Sequence, residues 1–140
     1  MAEMVMKELC RQAGVADQFE IASAAVSREE TGNDIYPPAK RKLREKGIPF
    51  DVHAARQVTL ADYTYYDHLI CADSSNLRWL ERIIGKDTAQ KVSLMKQWSN
   101  DQIVNDKMVN ISDPWYTGDF EAAYQDIELS CKHILKQLTE

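Results

Sequence analysis

His68-Leu69-Ile70-Cys71-Ala72-Asp73-Ser74-Ser75-Asn76-Leu77 carries the chain from one hydrophobic pattern into another. The first five residues form a short apolar run, which reads as a buried strand. Asp73 or Ser74 then supplies the side-chain oxygen that caps a helix start. Beyond it Leu77, Leu80, Ile83 and Ile84 share one helical face, and Gly85 stops the pattern. Lys91 to Met95 returns to strand. Strand, helix and strand in that order imply a parallel sheet covered on both faces, hence an α/β fold.

Further out the period keeps switching. Ala2, Val5, Leu9 and Ala13 fall at helical spacing ahead of Gly14. Phe19–Val26 is short, apolar and strand-like. Pro37-Pro38 opens a basic helix that Gly47 closes. Thr59-Leu60-Ala61-Asp62 has the form of a capping box with Asp in place of Glu. Asp119 is placed to cap a last helix carrying Phe120, Ala123, Ile127, Ile134 and Leu138. The pattern opens on a helix with no Ser, Thr, Asp or Asn ahead of it, where a free amino group opposes the helix dipole. That fits a chain without the strand and loop that would feed this helix.

A length of 140 residues suits a single domain, 1–140, able to bury a core. The 44% hydrophobic fraction is ordinary for a globular protein. A net charge of -5 argues against a broad nucleic-acid or anionic-membrane surface. The local basic run Lys40-Arg41-Lys42, with Arg44 and Lys46, reads as a solvated helix face. Cys10, Cys71 and Cys131 are too few and too scattered for a disulfide framework or a zinc site, which points to a reducing cytoplasm. No apolar run reaches transmembrane length, and the charged start is not a signal peptide.

Asp113-Pro114-Trp115-Tyr116 carries the most chemistry. Proline fixes its own φ and restricts the residue before it, so Asp113 sits on a stiff turn. Two adjacent rings can wall a flat aromatic group. Breaking a phosphate ester requires a proton on the departing oxygen, and a positioned Asp supplies one. The plainer reading is a loop turn with two packed aromatics. Asp73-Ser74-Ser75-Asn76 lies at the C-terminal end of a strand, where open α/β sheets bind ligands, and also reads as a helix cap. His53 reads either as a proton carrier or as a structural loop histidine. Ser23 ends its strand, within bonding reach of a loop. Trp79 and Trp98 read as packing residues, and Tyr63, Tyr65 and Tyr66 as a dense cluster of low specificity.

Taken together, these pieces resemble the low-molecular-weight protein tyrosine phosphatases over essentially the whole chain. In the family's order they are Met1-Ala2-Glu3 opening a helix, Ser23-Ala24-Ala25-Val26-Ser27 with Gly32, and Gly47-Ile48. His53-Ala54-Ala55-Arg56-Gln57-Val58-Thr59, Asp73-Ser74-Ser75-Asn76-Leu77, and Asp113-Pro114-Trp115-Tyr116 with Asp119-Phe120 follow. The resemblance implies a three-layer αβα fold with a parallel sheet, flavodoxin-like in the manner of phosphatase I, here lacking its first central strand. In the family that strand runs into a Cys-x5-Arg phosphate loop directly ahead of the Met-Ala-Glu helix. The loop cysteine attacks phosphorus as a thiolate. By motif match Asp113 is the acid that protonates the leaving phenol. Trp115 and Tyr116 match the aromatics flanking the substrate ring. Ser23 and His53 match residues supporting the phosphate loop. The implied substrate is a phosphotyrosine protein or a small aryl phosphate, with no metal or organic cofactor.

Departures from the family pattern shape the remaining expectations. No cysteine here stands six positions ahead of an arginine; Cys71 to Arg78 is one residue too long. The chain as given is therefore expected to be inactive. Arg28-Glu29-Glu30 stands where some relatives place an aromatic, and Tyr36-Pro37-Pro38 replaces Asp-Pro-Arg. The alternatives are a non-catalytic phosphatase-like binding remnant, an arsenate reductase, or a protein arginine phosphatase on the same fold. Arsenate reduction requires two further cysteines after Cys71, where none stands before Cys131. Without the central strand, Phe19–Val26 and Tyr66–Ala72 are expected to collapse onto each other or to pair with another chain, making a homodimer through the incomplete sheet.

Overall fold

The computed structural model describes residues 1–27, 31–51, 53–98, 111 and 119–139. Its helices are α1 (Ala2–Gln12), α2 (Pro37–Glu45), α3 (Leu60–Tyr65), α4 (Ser74–Ile84) and α5 (Phe120–Thr139). Its strands are β1 (Leu69–Cys71) and β2 (Val92–Leu94).

The stretch from His68 to Met95 folds as its pattern dictates. β1 and β2 run parallel, with Leu69 beside Val92, Ile70 beside Ser93 and Cys71 beside Leu94. The Asp73 side chain accepts from the Asn76 N–H at 2.8 Å and starts α4. Gly85 ends the helix at φ 77°, a left-handed conformation that costs glycine no Cβ clash. Side chains of a strand alternate between faces, and here both faces are covered. Leu69, Cys71, Val92 and Leu94 pack with Leu77, Leu80, Ile83 and Ile84 of α4. Ile70, Ala72 and Met95 pack on the other side with Val5 and Cys10 of α1 and Ile127, Cys131 and Ile134 of α5. The result is three layers: α4, the sheet, then α1 with α5.

Local signals are met elsewhere as well. Thr59 and Asp62 exchange both bonds of a capping box. Asp119 accepts from the Ala122 N–H at 2.9 Å at the start of α5. α1 starts without a side-chain cap. The basic face of α2 is offset by acids: Lys40 pairs with Asp34, Lys42 with Glu45 and Glu121, and Lys46 with Glu121. Arg44 lies 5.3 Å from the Phe50 ring centroid.

Two expectations are corrected. Phe19–Val26 is extended, but it does not form a strand. Among the described residues its one sheet contact is an isolated parallel bridge from Ala25 to Gln57. Nor does it collapse onto Tyr66–Ala72: no backbone hydrogen bond joins the two stretches. A strand needs a neighbour to take its N–H and C=O groups, and among the described residues β1 pairs with β2 alone. Glu20, Ala22, Ser23 and Ala24 accordingly face solvent, while Phe19 and Ile21 still pack on the core. Trp79 is the second correction. It is 50% exposed rather than packed, with the Arg82 guanidinium 4.6 Å from its ring centroid. Position 79 falls opposite the Leu77, Leu80, Ile84 face of α4, which puts it outward. Trp98, by contrast, packs on the core and donates its indole N–H to Ser93 Oγ at 2.9 Å.

Candidate active site

α1 presents Glu3 from its first turn, where a carboxylate is favoured by the helix dipole. The Glu3 side chain is only 8% exposed. Burial pulls its carboxyl up, but hydrogen bonds from Lys7 and Ser23 and the Lys7 charge outweigh that, so the net shift is downward. Lys7 Nζ stands 2.7 Å away, one turn along the same helix. Ser23 Oγ donates to Glu3 Oε1 at 2.6 Å and lies 3.1 Å from His53 Nε2. The other imidazole nitrogen, His53 Nδ1, is 3.8 Å from Glu3 Oε1.

Ser23 and His53 lie thirty residues apart in sequence, and the chain brings them together beside the start of α1. The segment 53–58 is held on two sides. Ala25 N–H donates to Arg56 O at 2.7 Å, and Val58 N–H donates to Ala25 O at 2.8 Å. On the opposite side Gly32 N–H donates to Ala55 O and Ala55 N–H to Asn33 O, both at 2.7 Å. Ser23, Ala24, Ala25, His53, Ala55 and Arg56 line an open cleft of about 210 Å³. Arg56 is tied to Asp62 by two hydrogen bonds, at 2.8 and 3.1 Å.

A larger open cleft, about 300 Å³, lies between α4 and the approach to β2. Leu77, Leu80, Ile84 and Val92 line it, and its charged members are Glu81 and Asp87. Two carboxylates without a cation repel a phosphate dianion, so this cleft does not suit the implied chemistry.

Asp113, Trp115 and Tyr116 lie outside the described residues. Near them in sequence Ile111 is buried and donates its N–H to Ala72 O at 2.9 Å, at the C-terminal end of β1. Asp73 caps α4 at that same end.

The thiols are not poised to attack. Cys10, Cys71 and Cys131 are all free and buried. Burial pushes the Cys71 thiol up to about 11 and the Cys131 thiol up to about 12, and raises Cys10 as well. A nucleophilic cysteine needs the opposite shift. Among the described residues no cluster of His, Cys, Asp and Glu has the makings of a metal site.

Two residues of the cluster, Glu3 and Asp34, have no site role that the sequence alone reveals. Glu3 could have been marked as a first-turn carboxylate with Lys7 one turn on. Asp34 had no local signal. Its Oδ1 accepts from the His53 N–H at 2.8 Å and the Ile35 N–H at 2.7 Å, and Lys40 pairs with its Oδ2. These donors, Lys40 first, hold the Asp34 carboxyl down at about 2.

The family model for low molecular weight phosphotyrosine protein phosphatase matches residues 1–140. The low molecular weight protein-tyrosine-phosphatase YfkJ of Bacillus subtilis is 30% identical over 139 residues, covering 99% of this chain and 86% of the relative. The low molecular weight phosphotyrosine protein phosphatase of Sus scrofa is 34% identical over 142 residues, again covering 99% and 86%. The crystal structure of YfkJ superposes with a TM-score of 0.90 at 27% identity, covering 99% of this chain and 84% of that one. That of SP-PTP from Streptococcus pyogenes superposes with 0.83 at 30% identity, covering 98% and 82%. The chain belongs to the low molecular weight phosphotyrosine protein phosphatase family, a family of protein tyrosine phosphatases.

Proposed function

We propose that the protein serves phosphomonoester hydrolysis on phosphotyrosine proteins or small aryl phosphates, with Asp113 as the general acid. Trp115 and Tyr116 flank the substrate ring, and Ser23 and His53 brace the phosphate-binding loop. The observation that carries this reading is the meeting of Glu3, Ser23 and His53 at the first turn of α1, within a chain of this family. The position of Ile111 at the C-terminal end of β1 supports the placing of the acid loop there. The 140 residues contain no Cys-x5-Arg, and their three thiols are buried with raised pKa values. They therefore do not hydrolyse phosphate esters unaided. The free thiols fit a reducing cytoplasm, and the exposed edge at 20–24 favours a homodimer.

The test compares two proteins on a phosphotyrosine peptide and on a phosphoarginine peptide. One is the chain as written. The other carries in frame, ahead of Met1, a strand and a Cys-x5-Arg loop. The first is expected to match buffer and the second to release phosphate from phosphotyrosine. Turnover by neither would favour a binding remnant, and release from phosphoarginine alone would reassign the substrate.

A further inference from the structure

We infer that Asp34 is a positioning residue for His53: its carboxylate takes the His53 backbone N–H where the neighbouring chain offers no carbonyl. This rests on the reading of His53 as a loop-bracing residue.

The geometry is that of a ladder finished by a side chain. From Gly32 to Asn33 the backbone bonds to Ala55 through two hydrogen bonds of 2.7 Å. Two residues before Ala55 the next inward donor is the His53 N–H. It goes to Asp34 Oδ1 at 2.8 Å. The same oxygen takes the Ile35 N–H at 2.7 Å, which fixes the carboxylate against its own backbone. Lys40, in the first half of α2, holds the second oxygen. Three donors on one partly buried carboxylate leave it little freedom. The backbone of residue 53 is thus tied, through Asp34, to α2.

The consequence lies at the ring. His53 reaches Ser23 at 3.1 Å through Nε2, with Glu3 Oε1 3.8 Å from Nδ1. Lys7 pairs with Glu3, the Met1 amino group also feels the Glu3 charge, and Arg56 lines the same cleft. A hydrogen bond from a ring on a loop holds only while its Cα is held, because a shift of about 1 Å takes a 3.1 Å contact out of range. Asp34 supplies that restraint from a residue nineteen positions away.

Amide exchange and ring nitrogen NMR on the 140-residue chain test this directly. In Asp34→Ala the His53 N–H should exchange roughly tenfold faster or more, the size of one hydrogen bond to a charged group. The ring nitrogens should move from the pattern of one tautomer held by Ser23 toward an average. The Ala55 and Val58 amides should keep their protection, since their acceptors are Asn33 O and Ala25 O. Asp34→Asn keeps an acceptor oxygen and should restore the His53 amide. Lys40→Met releases the carboxylate from α2 and should speed exchange at the His53 amide selectively, though less than Asp34→Ala, which gives a reading even if Asp34→Ala does not fold. An unchanged His53 amide and ring in Asp34→Ala overturns the inference. So does equal loss of protection at His53, Ala55 and Val58 in either variant, which is general loosening, and so, where Asp34→Ala does not fold, does an unchanged His53 amide in Lys40→Met. Phosphate release is not read here, so failure of this clamp and failure of the hydrolase reading remain separate results.

Discussion

Ser23 Oγ donates to Glu3 Oε1 at 2.6 Å, tying the extended stretch after Phe19 to the first turn of α1. The two residues stand twenty positions apart, Glu3 in α1 and Ser23 outside any regular element. It joins a hydroxyl on the surface to a carboxylate that is 8% exposed. Removing the hydroxyl leaves Glu3 with Lys7. Ser23→Ala should therefore cost about 1 kcal/mol in urea unfolding. In a cycle with Glu3→Gln the two losses should be less than additive. Strict additivity would mean the bond contributes nothing.

The proposed role of Asp113 as the acid can be tested in a protein that carries a nucleophile. In a protein carrying Cys-x5-Arg ahead of Met1, Asp113→Asn should lower kcat on an aryl phosphate by about 10²–10⁴, the usual range for a general acid. The loss should shrink on a substrate whose leaving group is already acidic, since it needs less protonation. An equal loss on both substrates would point to a structural role for Asp113.

The thiols should be slow to alkylate. A rise of Cys71 to about 11 cuts its thiolate fraction by ~10²-fold relative to an ordinary cysteine, before burial is counted. Native chain at neutral pH should take up iodoacetamide slowly, and urea should expose three reactive cysteines. Fast native labelling at Cys71 would reopen it as a nucleophile.

Acid should weaken the fold in a defined window. The Asp34 and Glu121 carboxyls are both held down at about 2, Asp34 chiefly by Lys40 and Glu121 chiefly by Lys42 and then Lys46. Both folded values lie below the unfolded ones, about 3.9 and 4.3. Their stabilisation is therefore complete above those values and is lost as pH falls from about 4.5 toward 2. Urea midpoints should drop across that window. The drop should be shallower in the double variant Asp34→Asn, Glu121→Gln, and an unchanged slope would remove these pairs as its cause.

The exposed 20–24 edge should show itself in association. Sedimentation is expected to reveal a dimer whose share rises with protein concentration. Lysines at Ala22 and Ala24 should suppress it, because charge on an edge blocks strand addition. A monomer at every concentration would end the homodimer reading.

Much of the fold was legible from neighbours along the chain. The Asp73 cap, the Thr59–Asp62 box and the Gly85 stop are settled within four residues. The alternation Leu69, Ile70, Cys71, Ala72 already held a two-faced strand, and the structure splits it between two cores. Those features follow from helix and strand periods, which any stretch carries with it. Family membership was legible too, because six short motifs stand in order.

What pairs with what was decided by the tertiary structure. Phe19–Val26 has the composition of a strand, yet it is not one, because strand formation depends on a distant neighbour that composition does not encode. Trp79 looked like core and faces solvent, because the helix phase turned it away from Leu80. Glu3, Ser23, Asp34 and His53 are ordinary polar residues taken singly. They become a hydrogen-bonded cluster only when α1, the extended stretch and the loop at 53 are packed together, since a hydrogen bond acts over about 3 Å and takes no account of sequence separation.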